Sequence, residues 1–289
     1  MPAICYVNTV MLDTCSPAPK ALISQDPLFM THDNLLTTEA RDAVLIIKLN
    51  RAAKRNAIND ALLEALEHQF SRLPEETRAV VLAGEGEHFC AGLDLAERLS
   101  KPRRNALDTV RHSRRWHRCF ELIQFGDVPV ISALKGAVIG GGLELAAATH
   151  IRVADTGTFF QLPEGQHGIF VGGGASVRVP RIIGAHRMVE MMLTGRKVDA
   201  QEGHALGLCH YVEPEGNSFE QALSLATKIA GNAEISNYAI INAISRINDM
   251  SMAEGFFTES VVASMSRSSN EADQRISSFF EQRKQASQS

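Results

Sequence analysis

The sequence lacks the cysteine and histidine spacings that form redox pairs or bind metals. Its five cysteines include no CxxC pair, and its ten histidines include no HExxH pattern. Cysteines without such spacing are typical of a reduced compartment, so we expect a cytoplasmic protein. The sequence also gives no reason to expect a bound metal ion.

Long apolar runs and an excess of positive charge are also missing. No run reaches the roughly 20 residues that a membrane-spanning helix needs, so we expect no membrane span. The 289 residues carry a formal net charge of -4, which argues against nucleic acid as the main partner. A hydrophobic content of 45% with 21% charged residues is ordinary for a globular chain with a sizeable core.

The first 30 residues do not follow the pattern of the remainder. They contain one Lys and no Arg, whereas a secretory signal needs a basic start and a transit peptide is rich in Arg. An ordinary-looking beginning follows Met30. We therefore expect residues 1–30 to be a disordered extension, or one created by a start codon assigned too early.

Hydrophobic periodicity divides the remainder into two parts. Over residues 31–215, short β-branched runs such as AVLIIKLN (43–50) and RAVVLA (78–83) alternate with helical patterns. This alternation predicts an α/β core with helices packed outside the sheets. From residue 216 to 289 the pattern is helical throughout, which predicts a C-terminal helical subdomain used for assembly and for covering a site.

The segment KGAVIGGGLELAAATHIRVAD (135–155) combines three successive glycines, a predicted helix start and the acid Glu144. Glycines allow close approach of a ligand to the backbone, and a helix start presents free N–H groups. A phosphate site would show GxGxxG or a GK[ST] ending, and Glu144 would repel a phosphate. An oxyanion hole beside an acid or base is therefore favoured, although close helix packing explains the glycines equally well on this motif alone.

Two further segments favour the catalytic interpretation. HFCAGLDL places Ala91 and Gly92 before a second predicted helix start, so each junction could supply one N–H group to a single oxygen. In LPEGQHG, Leu162 and Pro163 indicate a partly apolar setting for Glu164, which would raise the pKa of that carboxyl.

Together, HFCAGLDL, VPVISALKGAVIGGGLELAAATHIRVAD, TFFQLPEGQHGIFVGGGASVRVPRIIG and MMLTGRKVDAQEGHALGL resemble the enoyl-CoA hydratase/isomerase family, the crotonases. The resemblance covers about residues 43–214 and extends more weakly into RISSFFEQRK. It implies a spiral of β-β-α units followed by a helical C-terminal part. It also implies trimers, often paired as hexamers.

The resemblance further implies the site. The thioester oxygen of an acyl-CoA would lie between the backbone N–H groups of Ala91 and Gly141, and Glu144 and Glu164 would flank the double bond. Retention of both acids favours hydration of an enoyl-CoA, with no cofactor beyond the coenzyme A (CoA) of the substrate. Isomerisation, or hydration with cleavage of an aryl-propenoyl-CoA, stays open. A scaffold or RNA binder would be expected to lack the acids.

Binding of CoA is less completely matched. Lys54 and Arg55 are plausible phosphate contacts, and Phe279 matches an aromatic CoA contact of the family. The family also has a basic CoA contact near this aromatic residue, and the matching position here is Gln282. Arg283 or Lys284 could make that contact instead.

Other departures from the family pattern bear on the acyl pocket. Gly165, Gln166 and His167 replace aliphatic residues, so this segment is either a surface turn or a binding site for an oxygenated or aromatic acyl chain. Val171 replaces the usual proline. The cluster RHSRRWHRC (111–119) could contact RNA or CoA phosphates, but a solvated or subunit-facing helix surface is favoured. Cys90 is interpreted as a small buried residue rather than a nucleophile.

Overall fold

A computed structural model describes residues 35–267 and 270–286; the predicted extension at residues 1–30 lies outside these ranges. The strands are β1 (Leu36–Arg41), β2 (Val44–Leu49), β3 (Ala79–Gly84), β4 (Val130–Leu134), β5 (Ala137–Ile139), β6 (Ile151–Asp155), β7 (Phe159–Gln161), β8 (Val198–Asp199) and β9 (Tyr211–Glu213). The helices are α1 (Asp60–Phe70), α2 (Leu95–Ser100), α3 (Ala106–Gln124), α4 (Gly141–Ala148), α5 (Ala175–Ile183), α6 (Ala185–Thr194), α7 (Ala200–Leu206), α8 (Ser218–Ala230), α9 (Glu234–Ile247), α10 (Met252–Arg267) and α11 (Asn270–Ala286).

The larger sheet has six strands in the order β1-β2-β3-β4-β6-β9. The pair β1–β2 is antiparallel, and all other neighbours are parallel. Parallel strands covered on both faces are made of nearly continuous apolar residues. The sequences VLIIKL, AVVLAG and VISAL of β2, β3 and β4 are of this kind.

Alternate residues of each central strand enter two different apolar clusters. In β2, Leu45 and Ile47 face the cluster that includes α1 and α3. Val44 and Ile46 face the opposite cluster, where α8 contributes Ala222. The period-two alternation of a strand therefore divides one apolar run between two helical layers.

The smaller sheet carries the elements around the cavity described below. It has the order β5-β7-β8, with β5 parallel to β7 and β8 antiparallel to it. A single bridge joins Cys90 to Val138 of β5. This bridge brings the HFCAGLDL loop against the strand that leads directly into α4.

The predicted α/β architecture and the helical C-terminal part are confirmed. Side chains cap the starts of α1 and α7: Asn59 and Asp199 accept hydrogen bonds from the N–H groups of Leu62 and Glu202. The sequence did not predict β1, β5 or β8. The edge strand β1 is mostly exposed and lacks apolar alternation, while β5 and β8 have three and two residues.

The C-terminal helices differ in how they are covered. Helix α8 packs on the larger sheet, whereas α9 and α10 carry large exposed apolar side chains such as Ile244, Phe256 and Phe257. Among the described helices, none combines the length and the apolar character needed to span the bilayer.

Asn56 connects the turn at residues 51–56 to residues 85–88, which precede the HFCAGLDL loop. It is fully buried with φ at +55°, and its amide nitrogen donates to the carbonyls of Glu85 and His88. Its side-chain oxygen accepts from the N–H of Arg51 at 2.8 Å. One amide therefore satisfies backbone groups from two segments that the sequence separates by about thirty residues.

We expect Asn56→Ala to destabilise the fold by about 3 kcal/mol, from three lost hydrogen bonds and a left-handed backbone that alanine disfavours. Asn56→Asp should be worse, because a buried carboxylate would face two carbonyl oxygens. The control is Asn59→Ala, which removes only a helix cap and should lose about 1 kcal/mol. Urea unfolding measures all three, and an Asn56→Ala loss no larger than the control would contradict this role.

Candidate active site

A cavity of about 490 Å³ lies where α3, α4 and the loops before α2 and α5 meet. Glycines and apolar residues form much of its surface, and Glu144 and Glu164 both line it. Its size is within the range of small-molecule sites. The structure therefore brings together the two acids that the sequence singled out.

Glu144 lies in the first turn of α4. Gly140 precedes that helix with φ at +50° and ψ at -119°, a conformation that is essentially confined to glycine. Glu144 is only 4% exposed, and its Oε1 accepts hydrogen bonds from the N–H groups of Gly173 (2.8 Å) and Ala175 (3.0 Å). Burial raises the pKa of Glu144, while these donors and the Arg178 charge act in the opposite direction.

Arg178 fixes the loop that supplies these donors. Its Nη1 donates to the carbonyl of Gly173 at 3.1 Å, and its Nε donates to Oε1 of Gln124 at 2.6 Å. The guanidinium therefore fixes the carbonyl of Gly173, the residue whose N–H binds Glu144. It also places a positive charge near the Glu144 carboxyl. Position 178 was not identified from the sequence, where it reads as one of many helix-surface arginines.

Glu164 has a different environment. It begins a 3-10 turn at Glu164–His167 and is 7% exposed. Its Oε2 is buried and has no hydrogen-bond partner among the described residues. Burial and, to a lesser extent, the charge of Glu144 raise the pKa of Glu164 to about 7, against the effect of its own N–H. The predicted rise of this pKa agrees with the structure.

Two glycines leave room for these carboxyls. A Cβ at Gly140 would lie 2.7 Å from Oε1 of Glu164, and a Cβ at Gly173 would lie 2.7 Å from Oε2 of Glu144. Both separations are shorter than carbon–oxygen contacts allow. Each carboxyl therefore packs directly against the backbone of a glycine. Any larger residue at Gly140 or Gly173 would displace the carboxyl.

The backbone donors differ from the prediction in one position. The N–H of Ala91 donates to the carbonyl of Arg55 at 2.9 Å, so it is not available to a ligand, and its assignment to the oxyanion hole was wrong. Leu93 is two residues further on, and its N–H has no acceptor among the described residues. A Cβ on Gly141 would lie 3.4 Å from that nitrogen.

Gly141 keeps its predicted position in the cavity wall. It is the first residue of α4, so its N–H has no intrahelical acceptor, and no other acceptor is found for it among the described residues. Gly141 and Leu93 therefore bring two unpaired N–H groups to one place in the cavity. This pair can stabilise one negatively charged oxygen.

The predicted CoA contacts lie outside the cavity lining. Lys54 ends a 3-10 turn at Ala52–Lys54, and Arg55 follows it with φ at +50°. Both side chains are exposed. Against the effect of burial, the N–H of Glu97, the Arg51 guanidinium and, least of the three, the charge of Lys54 lower the pKa of Asp94, which caps α2. Phe279 lies on α11, 54% exposed, with the Arg283 guanidinium 5.7 Å from its ring centroid.

The departures from the family pattern separate into two groups. Gln166 donates to the carbonyl of Thr194 and belongs to a surface turn, whereas His167 and Val171 line the cavity. Cys90 is fully buried, and burial raises the pKa of its thiol to about 12, which agrees with a packing role.

The predicted basic surface at residues 111–119 is also divided. Its arginines border a second concavity of about 520 Å³ on the outside of α3. Trp116 lines the first cavity, and His112 lines both, with the two rings stacked at 6.3 Å between centroids. A Cβ on Gly141 would lie 2.9 Å from the indole of Trp116. The interpretation as surface therefore holds for the arginines only.

Clusters of histidine, cysteine and carboxylate side chains that could hold a metal ion do not occur within the described parts of the chain. Two carboxyls and two backbone N–H groups meet in this cavity. Such a set can exchange protons with a ligand while stabilising negative charge on its oxygen.

Comparison with known proteins agrees with this geometry. A family-wide profile described as enoyl-CoA hydratase/isomerase matches residues 39–288. A crystal structure from Rhodopseudomonas palustris CGA009, whose protein is provisionally named an enoyl-CoA hydratase, superposes with a TM-score of 0.83. The two sequences are 46% identical, and the match covers 87% of this chain and 96% of that one.

Two relatives carry names that describe different reactions. The 2,3-dehydroadipyl-CoA hydratase of Escherichia coli (strain K12) is 30% identical over 86% of this chain and 96% of its own length. The human mitochondrial Delta(3,5)-Delta(2,4)-dienoyl-CoA isomerase is 32% identical over 78% of this chain and 72% of its own. Similarity at this level therefore does not distinguish a hydratase from an isomerase.

We expect the Glu164 carboxyl to titrate with a midpoint of about 7. In Glu144→Gln the midpoint should fall, because a neutral amide removes the neighbouring negative charge. Carbon NMR of protein labelled at glutamate side chains measures both, and Glu164→Gln identifies the signal. A wild-type midpoint near the ordinary 4.5 would mean that Glu164 is solvated and would contradict the described site.

Proposed function

The chain belongs to the enoyl-CoA hydratase/isomerase family, and from this premise we propose that it is an enoyl-CoA hydratase, which adds water across the 2,3 double bond of an enoyl-CoA thioester. One observation carries the proposal: two buried carboxyls share a cavity but have opposite hydrogen-bonding environments. Glu144 receives two backbone N–H donors, whereas Oε2 of Glu164 receives none. Contrasting environments assign different roles to paired acids.

The backbone donors supply the electrophilic part. Addition of water to a conjugated thioester places negative charge on the carbonyl oxygen, which becomes an enolate oxygen. We assign that oxygen to the N–H groups of Gly141 and Leu93, the latter replacing Ala91 because the Ala91 N–H binds Arg55. Loss of one such donor typically raises the barrier by about 2.7–4 kcal/mol.

The two acids exchange the protons. Glu144, whose carboxylate form its N–H donors favour, takes a proton from water as the water oxygen bonds to the β carbon. Glu164, whose pKa of about 7 keeps much of it protonated at neutral pH, gives its proton to the α carbon. The cycle closes when a proton passes from Glu144 to Glu164 by way of solvent.

Binding and cofactor requirements follow from the same chemistry. Because the backbone donors polarise the carbonyl, we propose that no cofactor is needed beyond the CoA of the substrate. Lys54 and Arg55 remain candidate phosphate contacts, since their turn packs on the loop that contains Ala91. Phe279 remains a candidate contact for the nucleotide.

Isomerisation is the alternative reaction, favoured by the unpaired Oε2 of Glu164. A single carboxyl of this kind could remove a proton from one carbon and return it to another. That reaction would not need Glu144 as a base. The two candidates therefore differ in their dependence on Glu144.

Glu144→Gln and Glu164→Gln should each lower kcat for hydration of crotonyl-CoA by roughly 10²–10⁴-fold, because an amide cannot exchange the proton. KM should change little, and the double variant should be scarcely slower than the worse single one. Glu75→Gln, on the exposed surface, is the control. The assay follows loss of the enoyl absorbance and identifies the hydroxyacyl product.

The Glu144→Gln variant decides between the two reactions. Near-normal turnover of an enoyl-CoA by this variant would refute the hydration mechanism. Conversion of a 3-enoyl-CoA that survives in Glu144→Gln but not in Glu164→Gln would instead identify an isomerase. Neither result would alter the assignment of the Gly141 and Leu93 donors.

We also propose assembly into a trimer or a dimer of trimers. The C-terminal helices present a large exposed apolar surface, which monomeric proteins rarely retain. Its members include Ile240, Ile244, Met252, Phe256, Phe257, Val261 and Met265.

Light scattering should give a mass of three or six chains at micromolar concentration. Phe256→Glu combined with Phe257→Glu should lower this mass, because two carboxylates cannot be buried in an apolar contact without a large loss. Phe159, on β7, is only partly buried and lies outside this surface; Phe159→Leu is the control. A monomeric wild-type protein would refute the assembly.

A further inference from the structure

One part of the cavity wall carries positive charge that the proposed reaction does not use. The half-buried side chains of Arg98, on α2, and Arg104, just before α3, both line the cavity. We name these two residues the arginine wall. Hydration needs an oxyanion hole and two acids, and neither step requires a guanidinium at this place.

Arg98 has no partner among residues 35–267 and 270–286. No acceptor for its guanidinium occurs among the described residues, although Asp94, Glu97 and Asp60 line the same small recess as Arg98. Each of these carboxylates binds a cation other than Arg98: Asp94 binds Arg51, Glu97 binds Lys101, and Asp60 binds both Lys101 and Arg104. The nearby acids are therefore engaged elsewhere, and the Arg98 donors are left for a ligand.

Arg104 is only partly neutralised. Its Nη2 contacts Oδ2 of Asp60 at 3.0 Å, but the same oxygen also receives Lys101 at 2.7 Å. Nε2 of His112 lies 3.0 Å from the other Asp60 oxygen. Burial and the Arg104 charge lower the pKa of His112, so this ring adds no full charge at neutral pH. Cations still exceed anions at this wall.

The arginine wall lies toward the acyl end of the site. Helix α3 runs along the cavity from Trp116, which packs on Gly141 and Gly173, to His112 one turn earlier. Its direction therefore leads from the oxyanion hole and Glu144 toward Arg104. The candidate CoA contacts lie beside the Ala91 loop, so we assign the end of the cavity beyond His112 to the acyl chain.

The remaining surface at this end is apolar. Ile169, Phe170 and Val171 line the same cavity, so they can contact the methylene groups of an acyl chain. An alkyl terminus placed against the arginine wall would remove water from two guanidinium groups and return no hydrogen bonds. A terminal carboxylate would bind the same groups in the two-pronged geometry that arginine favours.

We propose that the arginine wall binds a carboxylate at the far end of the acyl chain, so that the preferred ligand is an acyl-CoA with an acidic terminus. The inference rests on the proposed function only in taking acyl-CoA thioesters as the ligands. It adds a substrate class, and it makes Arg98 and Arg104 the residues that determine specificity.

Calorimetric binding of hexanoyl-CoA and adipoyl-CoA tests the inference, since the two thioesters share chain length and differ in the terminal group. The wild-type protein should bind adipoyl-CoA about tenfold or more tightly than hexanoyl-CoA, the usual effect of a charge-assisted hydrogen bond. Arg98→Met should remove most of this preference by weakening adipoyl-CoA alone. Arg98→Lys should keep part of it, because a point charge remains.

Arg103→Met is the matched control, because Arg103 is exposed and lines neither cavity; it should keep the full preference. Arg104→Met should also lower the preference for adipoyl-CoA over hexanoyl-CoA, as a test that does not depend on Arg98. Melting temperatures of all variants show whether each is folded. Because Arg98 has no partner in the described part of the chain, Arg98→Met should unfold close to the wild-type temperature.

Other results would overturn the inference. Equal weakening of both thioesters in Arg98→Met would mean that Arg98 binds a phosphate of CoA. The corresponding pantetheine thioesters, which lack the nucleotide, separate the two sources: the preference for the carboxylate should persist in them. Equal or tighter binding of hexanoyl-CoA by the wild type would also refute the inference.

The binding experiment is independent of turnover. Both thioesters are saturated, so neither can be hydrated, and a preference for adipoyl-CoA would stand even if the protein failed to hydrate any enoyl-CoA. Hydration of crotonyl-CoA without a carboxylate preference would leave the proposed reaction intact and refute only the substrate class.

Discussion

The site depends on the close approach of backbone and side chains to three successive glycines at the start of α4. A Cβ at Gly140 would collide with the Glu164 carboxyl, one at Gly141 with the Trp116 ring, and one at Gly142 with the Cys90 carbonyl at 2.2 Å. Each glycine therefore leaves room for a different part of the site. Gly140 accommodates the Glu164 carboxyl, Gly141 the Trp116 ring of the cavity wall, and Gly142 the loop that carries the second N–H donor. The glycines and the buried acid Glu144 occur together because the proposed reaction needs an N–H donor for an oxyanion and a proton-exchanging carboxyl within one helical turn.

The distribution of donors between the two acids follows from their positions in the fold. Glu144 faces the start of α5, where free N–H groups are available, and Arg178 of the same helix holds the intervening loop. Glu164 emerges from a 3-10 turn with one oxygen buried and unpaired. Two residues of the same type thus acquire different hydrogen-bonding environments from local backbone geometry, while burial raises the pKa of both.

Much of this arrangement could be predicted from the sequence, and the failures have physical causes. Glu144, Glu164 and Gly141 are placed by short local motifs, in which neighbours in the chain are neighbours in space. The Ala91 assignment failed because its N–H binds Arg55, 36 positions earlier, a long-range hydrogen bond that the motif does not encode. Leu93 could not be chosen over Ala91 without knowing which N–H groups in that loop were already paired.

Helix α3 shows how a long-range arrangement can still leave a signal in the sequence. Thr109, His112, Ser113 and Trp116 all line the cavity, and they recur at the spacing of one helix face. The surrounding arginines obscured this stripe, because a basic run usually indicates a solvated surface. The helical periodicity of this run places its arginines on the outer face of α3. It places Trp116, Ser113 and Thr109 on the face that lines the cavity. The positive charge in the cavity wall comes from Arg98 and Arg104, outside α3, and no local motif in the sequence predicts that these two side chains line the same cavity.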